Sequence, residues 1–176
     1  RYNFLLVIVL SCLPLIIPSR SNGRIASSTS ITAKAAILIN AVTGDVLFEK
    51  AADVPLPPAS TTKVMTALIA IEQKPLNTAM AVSKKATLTP PLKIHVQAGE
   101  QWPLNSLLHC ILLKSANDAS VVIAEGTAGS IEKFAALMNR KAAEIGARRT
   151  NFVNPHGLDA EDHYTTARDM ALIFHY

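Results

Sequence analysis

Ser60 and Lys63 stand three residues apart in the stretch Pro57-Pro58-Ala59-Ser60-Thr61-Thr62-Lys63-Val64-Met65-Thr66. Two prolines end whatever precedes it, and a helical pattern then begins. Val64, Leu68 and Ile71 recur at helical spacing, Met65, Ala67 and Ile69 widen the apolar stripe, and Pro75 stops it. Positions i and i+3 of a helix share a face, so the Lys63 amine can approach the Ser60 hydroxyl. That is the geometry of a serine nucleophile with a lysine base. The helix N-terminus adds a positive field where an oxyanion would form.

Ser-x-x-Lys alone is a weak pattern, expected about once by chance in a chain of this composition. Ser130-Ile131-Glu132-Lys133 matches it too, and after Gly129 it reads as a helix cap. Ser60 could equally be a cap. A second cluster, Ser115-Ala116-Asn117, sits where two apolar helices meet. Its plain reading is a capping loop. Its chemical reading is a serine that relays a proton to a leaving amine and an amide that orients the lysine or binds a substrate carbonyl.

The elements that must position these residues follow in chain order. Ala35–Asn40 and Val46–Lys50 read as a hairpin around Thr43-Gly44. A proline-rich connection, 52–58, leads to the Ser60 helix. Residues 82–91 read as loop, and Leu92-Lys93-Ile94-His95-Val96 alternates as a short strand. Asn105 or Ser106 is expected to cap a helix from Leu107 to Leu113. Another helix is expected from Ala119 to Glu125, broken by Gly126 and Gly129. Ser130 then caps an amphipathic helix bearing Phe134, Leu137, Met138 and Ile145, with Gly146 at its end. Asn151 to His163 is a polar loop, and Thr165 or Thr166 caps a last helix from Ala167.

Composition narrows the function classes. Of 17 basic residues, Arg1, Arg20 and Arg24 precede Lys34, which leaves 14 against 13 acidic residues in the remainder. That balance gives no basic excess for nucleic acid. Aromatic residues, at 5%, are too few for base-stacking platforms. Arg1, the apolar run from Phe4 and the Ser-rich stretch 19–32 have the layout of a secretory signal peptide with a linker. An uncleaved anchor is the alternative. Of the two cysteines, Cys12 falls in this leader, so Cys110 cannot form an internal disulfide and is expected to be buried and inert.

Five segments together resemble one family. They are Pro58 to Ala67, Ser115-Ala116-Asn117-Asp118-Ala119, Asn154-Pro155-His156-Gly157-Leu158, His163 to Met170, and the hairpin piece Gly44-Asp45-Val46-Leu47. The chain from Ala33 to Tyr176 resembles the serine-type D-alanyl-D-alanine carboxypeptidases, the low-molecular-mass penicillin-binding proteins. The resemblance implies an α/β (α+β) fold of the β-lactamase/transpeptidase type, a helical cluster beside an antiparallel sheet. The family's third motif, Lys-Thr-Gly, does not occur in this sequence. The expectation is therefore a leader and linker at 1–32, a partial catalytic domain at 33–176 that is inactive on its own, and an incomplete sheet that leaves Ile37, Ile39, Leu47 and Phe48 partly uncovered.

The resemblance also assigns roles. Ser60 would attack the carbonyl between two D-alanines of a peptidoglycan stem peptide, Lys63 would take its proton, and Ser115 would pass a proton to the leaving amine. Asn117 would bind substrate, and one oxyanion donor would be the Ser60 backbone N–H. No cofactor or metal is implied. The implied partners are the stem peptide and β-lactam antibiotics, at the outer face of the cytoplasmic membrane or in the periplasm, with membrane attachment through the leader or a C-terminal anchor left open. Three other readings compete. His156, Asp159 and His163 could form a zinc site. A class A β-lactamase would need a loop glutamate, for which Glu161 is the candidate, and has Asp where Ala116 stands. A penicillin- or peptidoglycan-binding remnant would bind without turnover.

Overall fold

The structure, a computed structural model, describes the backbone of residues 5–10 and residues 31–176 in full. Ala35–Asn40 (β2) and Val46–Lys50 (β3) form the expected antiparallel hairpin. Asn40 closes its turn by accepting Gly44 N–H at 2.8 Å on its carbonyl and Val42 N–H at 2.8 Å on its side chain. Gly44 has φ +77°, a conformation that only glycine adopts at no steric cost. Leu5–Leu10 (β1), inside the apolar run read as a leader, lies parallel to β2 with Leu5 opposite Ala35. The sheet order is therefore β1-β2-β3, with one parallel and one antiparallel pairing. The proposed leader's residues 11–30 lie outside the described residues, Cys12 among them.

Thr62–Gln73 (α1) follows a single 3-10 turn, Ala59–Thr61. Ala79–Ala81 (β4) pairs with Gln101–Pro103 (β5), and Lys84–Thr87 (α2) is capped by Ser83. Then come Leu104–Leu113 (α3), Asn117–Ala128 (α4), Ile131–Ile145 (α5) and Ala167–His175 (α6). Helix α4 is the centre: Ala119 through Ala124 are all buried, and α1, α2, α3 and α5 pack around it. Met65, Ile69, Leu104, Leu107, Ile111, Phe134, Met138 and Phe152 fill the space between. Close packing of this kind holds helix ends in fixed register.

Helix α6 connects the layers: it lies along β1 and β2, and its Ala167 and Ala171 pack with Ala35, Ile37 and Ile39. Ile37 and Ile39 are consequently buried, against the expectation that they would be partly uncovered. Leu47 and Phe48 do remain exposed, at 48% and 39%.

Helix α2 lies inside the stretch 82–91 that reads as loop, and four further local expectations are corrected. Ile71 is exposed; beside the expected Met65, Ala67 and Ile69, α1 buries Thr62, Lys63, Thr66 and Ala70, so its inward face includes the polar residues of the site. Helix α3 starts at Leu104 after Pro103, without a side-chain cap. Gly126 lies inside α4 and does not break it: Met80 packs so close that a Cβ there would collide with its thioether. Gly129, at φ +83°, is the real terminator.

The fourth is Leu92–Val96, which is not a strand. Its apolar residues do not share one buried side, since Leu92 is exposed while Val96 is buried, and its Ile94 and Val96 N–H groups go to the Asp118 carboxylate and not to a neighbouring strand. The caps at Ser130 and Thr166 form as expected, each hydroxyl accepting the N–H three residues on. Cys110 is half-buried, and burial and then the nearby Asp118 charge push its thiol up. No helix among the described residues is long and apolar enough to cross a membrane.

Candidate active site

Ser60 does not serve as a cap. No side chain caps either the 3-10 turn or α1, so the Ser60 hydroxyl is free for other partners. It has two. Lys63 Nζ donates to Ser60 Oγ at 3.1 Å, and Ser115 Oγ donates to it at 2.8 Å. The two motifs, read 55 residues apart, meet at one oxygen. Ala59 and Ser115 have φ +48° and +56°, left-handed conformations that non-glycine residues rarely adopt. Such strain persists where surrounding structure fixes it, and it clusters at working sites. Here it turns Ser60 outward at the start of α1 and places Ser115 above it at the α3–α4 corner.

Lys63 is 2% exposed. Its second partner is the His156 carbonyl, at 2.7 Å. Among the described residues it forms no ion pair with a carboxylate. Desolvation therefore goes uncompensated, and burial lowers its pKa to about 8. An amine near that value is neutral in a useful fraction at physiological pH and can accept a proton from Ser60.

The loop Asn154–Leu158 supports this pair from beneath, a role the sequence reading missed. Pro155 O accepts Thr66 Oγ1 at 2.6 Å, next to the His156–Lys63 bond. Asn154 Oδ1 accepts the Gly157 N–H at 2.7 Å, which tightens the loop. Gly157, at φ +86°, lies flat against the Ser60 turn, so that a Cβ would run into Ala59 O and come within 2.9 Å of Thr62 Oγ1. His163 ties the loop to α1: Nδ1 accepts Val153 N–H at 3.0 Å, so Nε2 carries the proton and donates to Thr62 Oγ1 at 3.1 Å. Burial pushes both His156 and His163 down to about 4. The signal for this loop was the glycine after His156, a residue type that permits close backbone approach.

His156, Asp159 and His163 are not gathered as a metal would need. Both ring nitrogens of His163 are engaged as described, His156 Nδ1 accepts Leu158 N–H at 3.2 Å, and Asp159 is exposed. Glu161 is exposed too, outside this hydrogen-bond network. Asn117 is placed at the corner, but its amide does not reach Lys63. Nδ2 donates to Pro91 O at 2.8 Å and, more weakly, to Pro90 O at 3.4 Å.

A buried amine, a serine oxygen it donates to and a second serine on the same oxygen form one hydrogen-bonded chain. A profile described as D-alanyl-D-alanine carboxypeptidase matches residues 22–176. The chain belongs to the D-alanyl-D-alanine carboxypeptidase family. Within that family it is 38% identical over 160 residues to the D-alanyl-D-alanine carboxypeptidase DacF of Bacillus subtilis, an alignment covering 88% of this chain and 41% of the relative. It is also 38% identical to DacA of Escherichia coli, over 81% of this chain and 38% of that one. The solved D-alanyl-D-alanine carboxypeptidase DacD of Francisella tularensis superimposes with a TM-score of 0.81 at 35% identity, covering 89% of this chain and 40% of that structure. The chain thus spans about two fifths of the length of the carboxypeptidases it matches.

Proposed function

We propose that this protein acts as a serine acyl-transfer hydrolase that removes the terminal D-alanine from peptidoglycan stem peptides and is acylated by penicillins at the same serine. The observation that carries the reading is the Lys63–Ser60–Ser115 chain on a lysine with a pKa lowered to about 8. Family membership supplies the substrate class. Ser60 attacks the carbonyl carbon between the two D-alanines while its proton passes to neutral Lys63. The tetrahedral oxyanion is stabilised in part by the Ser60 backbone N–H. Ser115, hydrogen-bonded to Ser60, relays that proton from Lys63 to the leaving amine, so that Lys63 is neutral again and D-alanine departs. Water then attacks the ester, with Lys63 again the base, and frees Ser60.

Residues 33–176 on this reading belong to the catalytic domain and 1–32 act as an export leader, consistent with a substrate outside the cytoplasm. A non-catalytic penicillin-binding remnant is the second reading, and the exposed Leu47 and Phe48 on the sheet are the observation that favours it. D-alanine release from a D-Ala-D-Ala peptide by the intact protein separates the two. Release that Ser60→Ala abolishes supports the enzyme; penicillin labelling of Ser60 without release supports the remnant.

A further inference from the structure

Thr62, between Ser60 and Lys63, is fully buried, and His163 is 4% exposed. Polar groups so buried need partners. The imidazole finds one on each side. Nδ1 takes the Val153 N–H, and Nε2–H goes to Thr62 Oγ1, 101 residues earlier in the chain. A neutral ring has one acceptor and one donor, and each is used. Phe152 packs against it, with ring centroids 5.9 Å apart. The backbone that carries the ring is tied down separately. Tyr164 pairs with Asn151 and Thr165 with Leu56, through hydrogen bonds of 2.8 to 3.0 Å. His163 is therefore a strut of set length between Val153 and the first turn of α1.

Val153 leads into the loop that seats Lys63. Pro155 O receives the Thr66 hydroxyl, and His156 O receives Lys63 Nζ. Thr62, Lys63 and Thr66 are all buried on α1, and each has a partner within residues 155–163. The distance from Val153 to α1 sets how closely the two loop carbonyls approach the helix. Without the ring, the loop can draw back and water can reach Lys63. Burial is what lowers that amine, so hydration returns it toward its ordinary 10.5.

We infer that His163 is a positioning residue: by holding Val153 to Thr62 it keeps the His156 carbonyl on Lys63, and so keeps the Lys63 amine dry and aimed at Ser60. The consequence for rate rests on the acyl-transfer reading; the consequence for Lys63 itself does not. Asp159 and His156 are the charged or titratable groups that face His163, and His156 is the one that faces Lys63. His156 sits near 4, so it keeps one protonation state across the range in which Lys63 titrates. A residue needed only for folding would lower the amount of folded protein and leave the Lys63 midpoint where it is.

The Lys63 Cε resonance, followed by NMR against pH, reads that midpoint with no substrate present. In the unaltered protein it should lie near 8. In His163→Ala it should rise by about one pH unit or more, and penicillin acylation of Ser60 at pH 7 should fall about tenfold for each pH unit of that rise. His163→Gln should restore both, because a carboxamide also sets one acceptor and one donor on either side of a single carbon. If His163→Ala does not fold, Thr62→Val removes the oxygen that receives the ring N–H and should move both readouts in the same direction. A Lys63 midpoint that stays in place in these variants would overturn the positioning role. So would a His163→Gln protein no better than His163→Ala. A midpoint that moves as stated, in a protein that forms no adduct on Ser60, would count against the acyl-transfer reading and for the strut.

Discussion

At the scale of the residue, the account rests on protons. Lys63 must be neutral to act, and its pKa near 8 places the change within reach of titration. Because the group is a base with a lowered value, the active form grows as pH rises. Acylation of Ser60 should climb about tenfold per pH unit below 8 and level off above it, as read from label incorporation against pH. Lys63→Arg keeps the charge but stays protonated, so acylation should drop by roughly 10²–10⁴. The same lysine affects stability. Between about 8 and its ordinary 10.5 the unfolded chain holds the proton more tightly, so stability rises with pH across that window. Ser60 and Lys63 were legible because i and i+3 on a helix meet whatever else the fold does. The orientation of Asn117 was not, since it is set by carbonyls 26 and 27 residues upstream that no local pattern reveals.

At the scale of the element, the support for the Ser60–Lys63 pair comes from a loop. Gly157→Ala places a methyl against Ala59 O in a backbone conformation that L-residues avoid. The strain alone costs about 1–3 kcal/mol, and relief must come from moving the Ser60 turn. Both melting temperature and acylation rate should fall, the rate by more than the fraction unfolded accounts for. The loop also carries an acid limit. His156 and His163, held near 4 in the fold against an ordinary 6.5, take up protons more readily once unfolded. Stability should therefore decline as pH falls from about 6.5 toward 4, and replacing His163 by Gln, which keeps a donor for Thr62, should flatten that decline in a series of thermal melts. The sequence showed this stretch as a loop but not what it held. In the same way, Leu92–Val96 looked like a strand because its apolar residues alternate in the sequence, while the destination of the N–H groups, a carboxylate on α4, is a tertiary fact.

At the scale of the whole molecule, helices gather around α4 and the sheet lies against α6. The hairpin, the caps at Ser130 and Thr166 and the stops at Gly129 and Gly146 could be read directly, because each depends on neighbours within a few residues. The cover over Ile37 and Ile39 could not, because it is α6, more than 120 residues later, that provides it. That difference is measurable. Ile37→Ala should cost about 2–5 kcal/mol as a buried large-to-small change. Phe48→Ala, on the exposed strand β3, should cost clearly less, and thermal or denaturant melts of the two variants give the comparison.

The most direct test of the central claim is to map the adduct formed by a labelled penicillin on the intact protein. The geometry at Ser60 predicts a single labelled peptide containing Ser60, absent in Ser60→Ala while the melting temperature stays close to that of the unaltered protein, since this hydroxyl caps no helix. Label on Ser115 or Ser130, or label that survives Ser60→Ala, would contradict the assignment of the nucleophile.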